Sequence, residues 1–243
     1  MALEAPFRWE SDHVAADVAG AHALFTTRRG GVSTGAFASL NLGRLTADAG
    51  ANVDENRRRV AAATGHPRER FLYGKQVHGA TVRRATEPPG AERPPAEEDG
   101  QATALEGHPA LVFVADCTPV LLAADGAVAA LHCGWRGAAE GIVGEGITAL
   151  RDLGATGPVT ALIGPGARAC CYEVGEEVHA AFEGYDARHG ERNLDLPKVL
   201  RAQLEDATVH DAGLCTMCHP DVFFSHRRSG GVTGRQAGVV WRD

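Results

Sequence analysis

Two uninterrupted apolar runs stand out along the chain. Leu111-Val112-Phe113-Val114-Ala115 ends at Asp116-Cys117-Thr118-Pro119, and Val128-Ala129-Ala130-Leu131 ends at His132-Cys133-Gly134-Trp135-Arg136-Gly137. Runs of this kind read as buried strands, and polar residues at their ends can share one cleft even when far apart in sequence. Ala21 to Arg28 reads as an earlier strand, closed by the glycine-bearing turn Arg29 to Gly35. Beyond Gly137 the apolar spacing becomes helical, with Ile142, Ile147, Leu150 and Leu153 setting the face of a stretch from Ala138 to Leu153. Charged and alanine positions predict a helix from Asp54 to Thr64, ended by Gly65-His66-Pro67, and Val174 to Phe182 also has helical character. Val159 to Ile163 is a predicted strand before Gly164-Pro165-Gly166. From Thr86 to Asp99, Pro, Glu and Ala dominate and two Pro-Pro pairs occur, so the stretch reads as an exposed loop rather than a domain boundary. The mixture implies α/β or α+β, with strand order left open.

Composition narrows the class. A chain of 243 residues with 44% hydrophobic and 23% charged positions can bury one substantial core or two small ones, which argues against disorder. Lys and Arg number 24 against 31 Asp and Glu, a net charge of -7, so no general electrostatic pull toward nucleic acid or anionic lipid is expected. A local basic pocket for a small anion is still compatible with that balance. Neither a bilayer-length apolar run nor the pattern of a secretion signal is present, so a cytoplasmic location is the expectation, with the six cysteines kept reduced. The oligomeric state, monomer or small homo-oligomer, is left open.

Imidazole and thiolate together suit zinc, and three protein ligands leave a fourth position for water or substrate. His78 in Lys75-Gln76-Val77-His78-Gly79, Cys117 at the end of its strand and His132 at the end of the next form the most attractive set. Packed residues at strand ends are the plainer reading, which accounts for Cys more easily than for His. Cys215-Thr216-Met217-Cys218-His219 fits half of a structural zinc site, a redox dithiol, a covalent haem attachment or simple loop thiols. Cys170 and Cys171 are adjacent, and both are not expected to reach one tetrahedral metal. Arg28, Arg44, Arg136, Arg227 and Arg228 lie in polar, glycine-bearing segments where guanidinium groups can grip phosphate or ribose oxygens, or simply face solvent. Asn41 suits a turn cap or a ligand contact, Glu173 a helix cap or an acid/base, and Trp135 a base stack or core packing.

Taken in order, several segments carry a strong resemblance: Thr27-Arg28-Arg29-Gly30-Gly31-Val32-Ser33, Ser39-Leu40-Asn41-Leu42-Gly43, Gln76-Val77-His78-Gly79, Ala115-Asp116-Cys117-Thr118-Pro119 and His132-Cys133-Gly134-Trp135-Arg136-Gly137. Cys170-Cys171-Tyr172-Glu173-Val174-Gly175 and Phe224-Ser225-His226-Arg227-Arg228 extend it toward the C-terminus. Over nearly the whole chain the sequence resembles the YfiH-like, laccase-domain family, whose names include polyphenol oxidase and purine nucleoside phosphorylase. The resemblance implies one α/β domain over residues 1–243, a layered sandwich of mixed sheets flanked by helices. It also implies a zinc enzyme acting on purine nucleosides and phosphate, with His78, Cys117 and His132 as metal ligands. Asn41, Arg44, Gln76 and Arg227 follow as substrate-pocket residues, and Arg136 and Glu173 as catalytic ones. The family is associated with phosphorolysis of adenosine, inosine, guanosine and methylthioadenosine, with deamination of adenosine, and by name with copper oxidation of phenols. The sequence departs from the family's pattern in three places. Cys133 stands where Ala is common and adds a second thiol near His132, Gly166-Ala167-Arg168-Ala169 replaces a more usual loop, and His226 stands where an aromatic is common.

Overall fold

The structure, a computed structural model, describes residues 1–89 and 96–243. Part of the expected Thr86 to Asp99 loop therefore lies outside the described residues. In chain order the strands are β1 (Arg8–Glu10), β2 (His13–Val18), β3 (Ala21–Phe25), β4 (Val82–Ala85), β5 (Gly100–Thr103), β6 (Ala110–Val114), β7 (Thr118–Asp125), β8 (Ala127–Cys133), β9 (Thr156–Ile163), β10 (Arg188–His189), β11 (Asn193–Leu194), β12 (Thr208–Asp211) and β13 (Gln236–Trp241). The helices are α1 (Gly50–Thr64), α2 (Trp135–Ala139), α3 (Ile142–Asp152), α4 (Glu176–Ala181) and α5 (Leu196–Gln203).

Strands β1-β2-β3-β13-β6 form an antiparallel sheet, and β12-β9-β7-β8-β5-β4 form a mixed one, with β10 and β11 a separate pair. Alternation along the central strands shows how the layers stack, because successive side chains leave opposite faces. In β7, Leu121 and Ala123 face the antiparallel sheet, where they meet Phe25, Val112 and Val240. Val120 and Leu122 face the other way, onto Ile142, Val143 and Leu150 of α3 and Val199 and Leu200 of α5. A third cluster covers the outer side of the antiparallel sheet, with Leu24, Leu111 and Val239 under Leu40, Leu42 and Val60 of α1 and its preceding loop. The result is a four-layer αββα sandwich, and both faces of β7 and β8 are buried, which is why β8 reads as a continuous apolar run.

The single helix predicted from Ala138 to Leu153 is two. Gly141, at φ +91°, takes a left-handed conformation that ends α2 and starts α3 in a new direction. Where the two sheets meet, Gly164 follows β9, and a β-carbon there would overlap the ring of buried Phe25 and stand only 2.9 Å from Pro119 Cγ. Gly164→Ala forces the ring or the sheet spacing to give, at a cost of about 1–3 kcal/mol. An unfolding free energy lowered by that amount in urea denaturation, through a lower midpoint at unchanged slope, is the expected result; an unchanged midpoint would show that the interface accommodates a methyl group.

Candidate metal centre and its cavity

The register of the mixed sheet brings three strand ends together. Pro119 of β7 pairs with His132 of β8, and Gly100 of β5 pairs with Leu131, so the residues just before β7 and β5, Cys117 and Asp99, both lie beside His132. Cys117 sits on the crossing from β6 in one sheet to β7 in the other. His78 arrives from the loop before β4 with φ +66°, an uncommon conformation for a residue with a side chain. The ligand atoms of His78, Cys117 and His132 all lie within 4.8 Å of one another. The two imidazoles meet edge to face, with centroids 4.9 Å apart. Gly134 leaves the room for this, since a β-carbon there would stand 3.2 Å from both Cys117 Sγ and His78 Cδ2.

Asp99 organises the trio. Its Oδ2 accepts from the backbone N–H of Val77 and Gly79 at 3.0 and 2.9 Å, and its Oδ1 accepts from His78 N–H at 2.9 Å. The same Oδ1 lies 2.7 Å from His132 Nδ1, so that ring's Nε2 is the nitrogen left for the site. Burial raises the Asp99 carboxyl, but these donors more than offset it and hold the pKa below the ordinary value. Burial also pushes the Cys117 thiol up, yet His132 and His78 beside it bring it down to about 6. His132, lowered by burial, is raised by Cys117 and Asp99 to about 9. The metal-free centre is thus a thiolate–imidazolium pair between those limits.

Asp116 plays a parallel part. At φ +87°, its carboxylate accepts from Thr216 Oγ1 at 2.6 Å, Ser225 Oγ at 3.0 Å and Arg227 N–H at 2.7 Å, tying the C-terminal segment to the strand crossing that carries Cys117. Neither aspartate is assigned a role by the sequence reading.

The trio opens into a cavity of about 950 Å³, lined by six arginines, Arg44, Arg57, Arg68, Arg136, Arg227 and Arg235, with Tyr73, Phe113, Trp135 and Tyr172 among the apolar walls. Arg136 lies 4.4 Å over the Trp135 ring and has no acidic partner among the described residues. Arg227 donates to the Glu173 backbone carbonyl at 2.8 Å and lies over Tyr172. Arg44 lines the cavity while paired with Asp54.

Other expected contacts fall differently. Asn41 is fully buried, and its amide is engaged by the chain itself, donating to Thr46 Oγ1 and Asp48 Oδ2 and accepting from the N–H groups of Gly43 and Arg235, each at 2.9 Å. Gln76 borders the cavity, but its amide donates to Phe113 O at 2.7 Å and accepts from Phe113 N–H at 2.8 Å, fixing the loop before His78. The Glu173 side chain is 60% exposed, faces Arg192 at 3.6 Å, and is not among the cavity-lining residues. Arg28 and Arg228 are structural clamps on backbone carbonyls: Arg28 holds Ala38 and Pro220, and Arg228 holds Thr216 and Phe223. Cys133 points away from His132 into the helix-side core, where burial raises its thiol pKa, so it adds no second thiol to the centre. Cys170 and Cys171 do converge on one cluster, together with Cys215 and Cys218, contrary to expectation. His226 lines the cavity.

Two measurements probe this electrostatic arrangement. Asp99→Asn must turn its –NH2 toward either the His132 ring nitrogen or the two loop amides, all of them donors in this geometry. Metal affinity is expected to fall roughly 10- to 100-fold in competition titrations, with the fold retained; unchanged affinity would deny Asp99 its orienting part. In metal-free protein, the thiolate absorbance of wild type minus Cys117→Ser should half-develop near pH 6, well below the ordinary 9.0. Half-development near pH 9 would contradict the thiolate–imidazolium pair.

Comparison with known proteins agrees with this architecture. Residues 22–243 match the family described as multi-copper polyphenol oxidoreductase laccase. A purine nucleoside phosphorylase of Streptomyces coelicolor is 38% identical over 237 residues, covering 93% of this chain and 97% of its own. The purine nucleoside phosphorylase YlmD of Geobacillus stearothermophilus is 35% identical over 253 residues, covering 92% of this chain and 91% of its own. The crystal structure of YlmD from that organism superposes with a TM-score of 0.88 at 32% identity, covering 97% of this chain and 98% of that one. The structure of the Bacillus licheniformis hypothetical protein YfiH gives a TM-score of 0.88 at 28% identity, covering 99% of this chain and all of that one, 100%. With its fold and nearly its full length matched in this way, the chain belongs to the YfiH-like, laccase-domain enzyme family.

Proposed function

We propose that the chain is a zinc-dependent purine nucleoside phosphorylase that takes adenosine, inosine, guanosine or methylthioadenosine with phosphate, and deaminates adenosine in the same cavity. The observation that carries this reading is a compact His-Cys-His donor set opening directly into an arginine-rich cavity with room for a nucleoside and phosphate. The relatives named as purine nucleoside phosphorylases point the same way.

The donor set fits zinc: two imidazoles and one thiolate are within reach of a common point, and a β-carbon at Gly134 would already crowd two of these ligands at 3.2 Å. His78, Cys117 and His132 would hold the ion, which when bound supplies a Lewis acid for the small nucleophile. Asp99 keeps Nδ1 of His132 engaged, so the ring presents one defined nitrogen. Arg136, unneutralised by any acid among the described residues, supplies positive charge for phosphate, and Arg227 extends that charge with its orientation fixed by the Glu173 carbonyl. Arg44 reaches the cavity with its charge shared by Asp54, which suits a ribose hydroxyl better than an anion. The aromatic walls offer a purine the flat apolar contact that its ring needs. Glu173 enters this reading through its backbone carbonyl, not as the acid/base.

Copper oxidation of phenols is the alternative that the family name suggests. It calls for several redox centres, whereas His78, Cys117 and His132 form the one histidine-containing cluster among the described residues.

Chromatography of purified protein with adenosine, with and without phosphate, decides among these activities. Adenine plus ribose 1-phosphate is expected only when phosphate is present, and inosine in either condition reports deamination. Arg136→Ala should lower phosphorolytic kcat/KM by roughly 10- to 100-fold, the loss of one or two charge-assisted hydrogen bonds. No adenine and ribose 1-phosphate from zinc-loaded protein given adenosine and phosphate, or phenol oxidation by the copper-loaded form alone, would overturn the phosphorylase reading.

A further inference from the structure

Outside the cavity, four sulfurs from two distant segments meet. Cys170 and Cys171 lie in the turn after β9, and Cys215 and Cys218 lie in the segment after β12. Their Sγ atoms are all within 4.8 Å of one another, with Cys170 to Cys218 at 3.5 Å and Cys171 to Cys218 at 3.2 Å. Zinc–thiolate bonds of about 2.3 Å place the corners of a tetrahedron about 3.8 Å apart, within the spread seen here. A disulfide requires about 2.05 Å, well short of both contacts.

The backbone explains how adjacent cysteines share one centre. Cys171 and Tyr172 both donate N–H to Arg168 O, at 2.9 and 2.8 Å, closing a tight turn that carries both thiols. Thr216 N–H donates to Gly166 O at 3.0 Å, and Gly166 N–H to Leu214 O at 3.3 Å, so the second segment is pinned alongside the first without help from the sulfurs. The four sulfurs are therefore held together before any ion binds.

We propose that Cys170, Cys171, Cys215 and Cys218 form a second metal site, a closed tetrathiolate centre for zinc that is separate from the His78, Cys117 and His132 group. Four protein ligands leave no open position, so the site is structural. Binding takes one zinc ion and releases the thiol protons to solvent, with no change in oxidation state. The centre ties together two segments that seat Arg227. One segment carries Tyr172 and the Glu173 carbonyl that accepts from Arg227 Nη1; the other carries Thr216, which donates to the Asp116 carboxylate that accepts from Arg227 N–H.

The decisive measurement is zinc per chain, by elemental analysis and native mass spectrometry, on reduced full-length protein in which Cys117→Ala has disabled the histidine-containing group. One zinc ion per chain is expected to remain. The further change of Cys170 and Cys218 to Ser should remove it, with circular dichroism confirming a folded chain. Cobalt loaded into Cys117→Ala should show the strong thiolate-to-metal charge-transfer absorption of several sulfur ligands. No retained ion in Cys117→Ala, an ion indifferent to Cys170→Ser with Cys218→Ser, or wild-type protein isolated with a disulfide from Cys218 to Cys170 or Cys171 would each overturn the proposal. Because the count is made without Cys117, it stands whether or not the cavity trio binds zinc.

Discussion

Two imidazoles and a thiolate converge in this fold because one buried carboxylate accepts from both histidine-bearing segments at once. Asp99 takes three successive backbone N–H groups of the Val77-His78-Gly79 loop and the ring of His132, and its own carbonyl accepts His132 N–H at 2.8 Å. A carboxylate removed from water is costly unless its oxygens are filled, and here the filling groups are the ones whose positions define the centre. Satisfying the charge and shaping the site are a single event. The positive φ of His78 fits the same logic, since it is the conformation in which three consecutive amides can face one anion.

Asp116 repeats the device one residue before Cys117. It sits where the chain leaves the antiparallel sheet for the mixed one, and its oxygens collect Thr216, Ser225 and the amide of Arg227. Cys117, one residue on, inherits a position that depends on the C-terminal segment as much as on the sheets. The cavity is thus closed by residues far apart in sequence, with the arginines on its rim supported by carbonyls and rings more than by acids. That arrangement keeps positive charge available inside a protein whose net charge is -7.

Much of this could be read from the chain. The buried runs ending at Cys117 and His132 announce strands whose ends share a cleft, and the collinear motifs single out His78 as the third donor. Asp99 was illegible because it ends a segment rich in Pro and Glu, which reads as solvated, while the short β5 behind it is Gly100-Gln101-Ala102-Thr103, polar in composition yet buried throughout. Asn41 and Gln76 show a different limit. An amide that satisfies its own backbone and one that contacts a ligand have the same sequence signature, and only the partners tell them apart. The face of Cys133 was decidable in principle, since strand alternation sends it opposite to His132. The convergence of Cys170 and Cys171 was not, because it depends on the turn at Arg168 and on a segment more than forty residues away.

The two sulfur-containing clusters differ in the charge that each would present to a dication, and that difference separates their chemistry. Two neutral imidazoles and one thiolate leave a dipositive ion with a net charge of about +1, only partly countered by Asp99 behind His132, so it stays electrophilic toward the cavity. Four thiolates overcompensate the same ion to about −2 and quench its Lewis acidity, which leaves cross-linking as what such a centre can do. The surroundings match this division. The histidine-containing cluster faces six arginines that suit an incoming anion, whereas the four cysteines lie outside the cavity lining, beside a turn whose Arg168 guanidinium is held by Asp211 through two 2.8 Å hydrogen bonds. One cluster is placed to act on a ligand and the other to hold the wall against which that ligand would rest.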